Sequence, residues 1–136
     1  MPTPKTFEDA LYAILAAASG VAALVGTRIY PDRAPDLFTS PYIVYQLISG
    51  SRDQTQESAI SLSTQRFQLD CIAPASSSEA KILAAEVKNA LHGYTGTIAG
   101  VKVDYINTFD GPGGFSETTK VYRRIVEIVV MFVEPQ

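Results

Sequence analysis

The sequence predicts an α+β fold, an antiparallel β-sheet with two main α-helices packed on one face. Three observations predict it. Two stretches carry apolar residues at helical spacing, and several others alternate at the period of two that marks a strand. The order is helix, strands, helix, strands, which favours helices gathered on one side of an antiparallel sheet over alternating βα units. The 136 residues fit a single domain over 1–136, and a hydrophobic content of 46% with 18% charged residues supplies a real core.

The first helix is predicted over residues 6–18. Thr6 is its candidate N-cap, Glu8 and Asp9 sit where the positive end of the helix dipole favours them, and Phe7, Leu11, Ile14, Leu15 and Ala18 form an apolar face. "VAALVG" after Gly20 predicts a short extra turn or helix ended by Gly26. "RIYPDRAPD" reads as a short extended piece broken by Pro31 and Pro35; proline lacks the N–H of a central ladder, so this piece belongs at an edge or in a loop.

Tyr42 to Ser49 is rich in β-branched and aromatic residues and predicts a strand, with Gly50 to Ser58 as a polar connection after it. Residues 61–73 alternate, Phe67, Leu69 and Cys71 on one face and Arg66, Gln68 and Asp70 on the other, as a half-exposed strand does. The second helix begins at the capping-box pair Ser76 and Glu79, buries a stripe of Ile82, Leu83, Val87, Ala90 and Leu91, and stops at Gly93 with Lys88 and His92 near its negative end. "GTIAGVKVDYIN" predicts a short hairpin or a bent strand. "DGPGG", residues 110–114, predicts a mobile loop. In the last strand, 120–133, Tyr122, Val126, Ile128, Val130 and Phe132 share one face. The other carries Arg123, Ile125, Glu127, Val129, Met131 and Val133. Both faces are nearly apolar from Ile125 onward, which predicts a central strand whose second side is covered, a neighbouring subunit being one candidate cover.

A net charge of −3 and an isoelectric point near 5.0 argue against general nucleic-acid binding, though not against a pore past which DNA slides. The single cysteine, Cys71, makes no internal disulfide and points to a reducing compartment. No signal-peptide pattern opens the chain, and the apolar run from Val126 to Val133 is too short to span a bilayer as a helix, so a soluble intracellular protein is expected.

Catalytic constellations are missing from the sequence. His92, the single histidine, reads as a helix-end cap, and Cys71, on the face of Phe67 and Leu69, as a small buried hydrophobe. No GxSxG or HExxH motif occurs, and one His with one Cys does not make a metal site. "GPGG" lacks the Gly-Lys-Ser/Thr of a phosphate loop. Lys120, Arg123 and Arg124 form a local basic cluster, read as strand-edge charge or a subunit salt bridge before nucleic-acid contact. Tyr42, Tyr45, Tyr105 and Tyr122 read as core or interface packing rather than a base-stacking platform.

"LYAILAAASGVAALVGTRIYPDRAP" (11–35), "PYIVYQLISGS" (41–51), "RFQLDCIAPASSSEAKILAAEVKNALHGYTGTIAGV" (66–101) and "VYRRIVEIVVMFVE" (121–134) together resemble the tail completion, or head-to-tail joining, proteins of long-tailed phages and prophages. The likeness covers nearly the whole chain in the same order. "VAALVG" with "RIYP", followed by "PYIVYQ", is its most specific part; residues 50–60 and 107–119 depart from the pattern. The resemblance implies a structural assembly protein with no catalysis and no cofactor. It implies partners in a head connector or head completion protein and in the tail tube protein. It also implies self-association into a ring, expected to be a hexamer, with no membrane contact and DNA only as passing cargo. The implied location is the head–tail junction of the virion, and the host cytoplasm during assembly. A tail terminator or minor capsid component is the alternative, and a small enzyme or nucleic-acid binder a more distant one. The expected interface comprises Arg52, Asp53 and Gln54 in the first polar connection and Gly111, Gly113 and Phe115 in the second. Arg123, Val129 and Met131 of the last strand complete it.

Overall fold

A computed structural model describes residues 7–32, 40–54, 61–116 and 121–133. The elements are α1 (Phe7–Ala17), α2 (Ser19–Val25), β1 (Ile29–Pro31), β2 (Tyr42–Gln54), β3 (Ser61–Ala73), α3 (Ser77–Leu91), β4 (Gly96–Ile98), β5 (Val101–Ser116) and β6 (Val121–Val133). Thr6, Pro35, Lys120 and residues 55–60 and 117–119, on which several expectations fall, lie outside the described residues.

The six strands form one sheet in the order β1-β2-β3-β6-β5-β4. The sheet is mixed rather than antiparallel, because β1 runs parallel to β2 while every other neighbouring pair is antiparallel. The physical reason is the connection: after Pro31 the chain returns to the start of β1 before β2 begins, so that the Ile43 amide donates to the Arg28 carbonyl at 3.0 Å. Arg28 fixes that corner. Its Nε donates to the Pro41 carbonyl at 2.8 Å and its Nη2 to the Leu24 carbonyl at 3.1 Å, tying the end of α2 to the start of β2. β1 lies at the sheet edge, as its proline requires.

The main core joins all three helices to one alternation of the strands. Phe7, Leu11 and Leu15 of α1, Val21 and Val25 of α2, and Leu83, Val87 and Leu91 of α3 share it with Phe67, Leu69 and Cys71 of β3. Val126, Ile128, Val130 and Phe132 of β6 complete it. Phe7 stands with its ring centroid 5.5 Å from both Phe67 and Phe132. Each such side chain contributes about 1.5–3 kcal/mol on burial. No single described helix is long and apolar enough to cross a membrane; α1 and α2 together have the length, but they are bent by 87° and their apolar faces lie in this core.

The cap of α3 forms as its sequence predicts, with the Glu79 amide donating to Ser76 Oγ at 3.1 Å. Ile82, expected in the apolar stripe, is instead exposed at 52%. It lies one position beside Leu83, and the helix buries Ala80, Leu83, Ala84, Val87 and Leu91, a stripe centred a fraction of a turn away. "GTIAGVKVDYIN" proves to be a hairpin, β4 turning through Ala99 and Gly100, both at positive φ, into β5.

Two polar stretches are strand where connections were expected. β2 runs past Gly50 to Gln54, paired with Ser61 to Gln65. The backbone ladder with β3 holds it as strand whatever its polarity. "DGPGG" lies within β5, where a register shift between Asp110 and Gly113 marks a bulge. The glycines there answer to packing. A Cβ at Gly111 would lie 2.7 Å from Ile125 Cγ2, and one at Gly113 would lie 3.0 Å from the Arg123 carbonyl oxygen.

Candidate functional site

β6 is central, between β3 and β5, as its doubly apolar pattern predicts. Its two faces differ. Val126, Ile128, Val130 and Phe132 are buried in the main core. On the second face, cover comes in parts. Val121 joins Tyr42 and Ile72 in a small separate cluster, with Tyr30 and Val44 against it. Ile125 is buried, and Gly111 lies directly against it. The protomer therefore shields this half of the second face itself.

The other half is less covered. Val129 lies between Arg66 and Asn107 across the ladders, and Met131 between Thr64 and Tyr105; both are half-buried. Tyr105 and Phe109, which share this face with Met131 and Glu127, are exposed at 39% and 46%. The result is an apolar strip, with Arg66, Gln68 and Asn107 as polar neighbours, on the half of β6 remote from Tyr122.

The remaining expected interface residues fall at two other places. Gly113, Phe115 and Arg123, with Pro112 and Gly114, line a small cleft of about 220 Å³. Phe115 packs on Tyr122 at 4.9 Å between ring centroids, so Tyr122 leaves the main core although it begins the same alternation. Arg123 Nη1 stands 3.8 Å from Asp70 Oδ2, an exposed pair worth little to stability, and Asp70 also accepts from Gln68 Nε2 at 2.9 Å. Arg52, Asp53 and Gln54 pair with Ser63, Leu62 and Ser61 at the end of the sheet where β6 finishes, far from Phe115, which lies opposite Tyr122 where β6 begins. The fold thus brings together Gly111, Gly113, Phe115 and Arg123 at one end. Val129 and Met131 sit along the strip, and Arg52 to Gln54 stand apart.

A further cluster was missed by the sequence reading. The basic run at Arg123 and Arg124 is split by the strand alternation. Arg124 turns to the other side of the sheet from Asp70 and joins Lys81 and Lys88 of α3 around a cleft of about 310 Å³, with Asp110, Gly111 and Ile125. Lys88 Nζ donates to Asp110 Oδ1 at 2.7 Å. The legible signal was the spacing of Lys81, Ala84, Ala85 and Lys88 along one helix face.

The two groups searched for catalysis are spent elsewhere. Cys71 is fully buried; burial pushes its thiol well up, the adjacent Asp70 adds to that, and Lys88 offsets part. A thiol so placed offers little nucleophilic thiolate. His92 caps the end of α3, and its Nδ1 lies 3.1 Å from Thr108 Oγ1, with its ring edge-on to Tyr105. Among the described residues no group of three His, Cys, Asp or Glu side chains is placed to hold a metal ion.

Comparison with known proteins places these surfaces in a family. No curated protein matches the chain. Among solved structures, a chain from the virion of a native gene transfer agent particle superposes with a TM-score of 0.68 at 24% identity, covering 91% of each chain. A second solved chain gives a TM-score of 0.53 at 14% identity, covering 93% of this chain and 95% of the other. Both show a shared fold. The model of the family described as tail completion protein gp17 matches residues 9–132, nearly the whole length, and the chain belongs to that family of structural proteins that complete phage tails.

Proposed function

We propose that the chain works at the head–tail junction of a phage or phage-like virion, as one subunit of a ring between the head connector and the tail tube. The apolar strip of Val129, Met131, Tyr105 and Phe109 carries this reading. Helices cover one side of the sheet. A central strand with half-buried valine and methionine on its other side gains by meeting a further protein surface. The shared fold with a gene transfer agent virion chain supports a place in such a particle. A non-enzymatic role agrees with the buried Cys71 thiol and with His92 engaged by Thr108. Six copies would match a sixfold tail, and a net charge of −3 suits a channel that does not retain DNA.

The proposed contact residues are Val129 and Met131 on the strip, Gly111, Gly113, Phe115 and Arg123 at the bulged end of β5, and Arg52, Asp53 and Gln54 at the far end of β2. The test is a pair of substitutions, Val129→Asp and Met131→Asp, in the strain that makes the particle. With the melting temperature retained, heads and tails are expected to accumulate unjoined. Joined particles at the normal level would reject the strip as the contact.

A further inference from the structure

Three cations and a single carboxylate line the cleft between α3 and the β5 bulge. Lys88 is matched by Asp110, but Lys81 and Arg124, which line the same cleft, form no ion pair among the described residues. The stem of Arg124 lies on Gly113, whose missing side chain leaves it room; a Cβ there would stand 2.7 Å from Arg124 Cδ. The guanidinium is thus held at the cleft. β4 covers β5 only at Val101 to Val103, so among the described residues no strand lies beside the flank of the cleft at Asp110.

The opposite edge of the sheet has the opposite charge. The Asp32 amide donates to the Tyr45 carbonyl at 2.7 Å, which fixes Asp32 just past β1, and the first turn of α1 brings Glu8 and Asp9 to the same region. These carboxylates lie close enough to oppose one another: Glu8 is pushed up by burial and then by Asp32 and Asp9, and Tyr45 is pushed up to about 12 by burial and by the same three carboxylates. Asp9 is engaged by another group of the chain, so Glu8 and Asp32 are the groups at issue.

These patches lie in one row. Tyr45 is opposite Leu69, Leu69 opposite Val126, and Val126 opposite Asp110. With β1 outside β2, three strand spacings separate β1 from Arg124 on β6, about 14 Å at ~4.8 Å each, and a fourth reaches Asp110 on β5. That exceeds the screening length of ~8–10 Å at physiological salt, so the two patches attract each other only weakly inside a protomer. Unlike patches at opposite edges in one row suit a head-to-tail contact between copies, the arrangement that closes into rings.

We infer that the Lys81–Arg124 cleft takes carboxylates of a second copy of this chain, those of Glu8 and Asp32, joining the β5 edge of one subunit to the β1 edge of the next. This deepens the ring reading given above and rests on it.

The test is a charge swap in the particle-producing strain. Lys81→Glu with Arg124→Glu, and separately Glu8→Lys with Asp32→Lys, are each expected to lower joined particles by about tenfold or more, as like charges across a contact do. All four changes together are expected to restore them. Normal joining with the reversed cleft overturns the inference, and so does failure of the fourfold variant to recover while its melting temperature matches the native chain. Should the reversals impair folding, Lys81→Cys with Asp32→Cys in the otherwise native chain replaces them. Oxidised particles should then give a ladder of covalent multimers that neither single cysteine gives, and monomer alone overturns the contact. If particles lacking the chain join normally, the ring-at-junction reading itself fails. If joining needs the chain but no ladder forms, only this inference fails.

Discussion

Neighbouring residues on β6 live in different environments. Phe132 is 2% exposed and packs its ring on Phe7, whereas Met131, one step along, lies half-buried between Thr64 and Tyr105. The two faces of one strand therefore serve two ends. One holds the protomer together, and the other is apolar beyond what the protomer uses. The division is sharpened by the first half of the second face, where Val121 and Ile125 are already covered. Apolar character on a second strand face thus does not by itself point to a partner; only a stretch left half-buried is a candidate for one.

The largest expected effect belongs to the core face. Phe132→Ala removes a ring from the centre of the packing of α1 against β3 and β6, and large aromatic deletions of this kind cost about 3–5 kcal/mol. Urea denaturation of the purified domain measures it. A loss below about 1 kcal/mol would mean that Phe132 is not the core residue its burial makes it, and the contrast between the faces would collapse.

Next comes the bulge that covers Ile125. Gly111→Ala places a methyl 2.7 Å from Ile125 Cγ2 and 3.2 Å from the Ile125 carbonyl oxygen, so β5 has to shift. Overpacking of this kind costs about 1–3 kcal/mol. The same denaturation curve reads it; a neutral result would show that the covered half of the second face is loosely held and closer in kind to the uncovered half.

The bulge also shows what the sequence could and could not disclose. Four glycines and prolines in "GPGG" signal a break, and composition does not distinguish a free loop from a strand whose glycines permit close approach to β6. Gly50 to Gln54 misled for a related reason. A polar strand shows no apolar alternation, so its pairing is invisible until the partner strand is known. The parallel β1–β2 pair was equally hidden, since direction depends on where a ten-residue connection returns. By contrast, α3 was legible because its cap, stripe and stop are local, and β6 because a central strand carries its burial in its own residues. The proposed interface was least legible: Val129 and Met131 could be read from β6 alone, but the cleft of Lys81, Lys88 and Arg124 needs two distant segments brought together.

Ser76→Ala tests the helix that backs the core face. Losing the hydroxyl that accepts from the Glu79 amide costs about 1 kcal/mol. A thermal melt measures it, and a shift as large as that of Phe132→Ala would mean that α3 has contacts with its N-terminus beyond the cap.

Met131→Ala is expected to cost the isolated domain about 1 kcal/mol, well below a core deletion, because the side chain is only partly buried. Its effect on head–tail joining should be out of proportion to that loss. Measuring both on one variant sharpens the comparison; a stability loss matching that of Phe132→Ala would place Met131 in the core instead.

The smallest effect in the protomer is expected from Glu8→Gln, and its sign is the informative part. Burial first, then Asp32 and Asp9, raise the Glu8 carboxyl above its ordinary value. The folded state then keeps a proton that the unfolded state has already released, so stability falls as pH rises from the ordinary glutamate range through the raised value. Above that window the charge is fully opposed. Glutamine carries no charge, so the variant should melt with the native chain below about pH 4 and slightly above it at neutral pH, with a flatter profile between. A lower melting temperature for the variant at pH 7 would show that Glu8 is held by a favourable partner, contrary to its surroundings. In the assembled particle the sign should reverse, because the Lys81–Arg124 cleft of the next copy would supply the counter-charge that the protomer withholds. A residue that weakens its own fold at neutral pH while strengthening the junction is what an assembly surface produces, and the buried apolar residues Val126, Ile128, Val130 and Phe132 of β6 cannot behave that way.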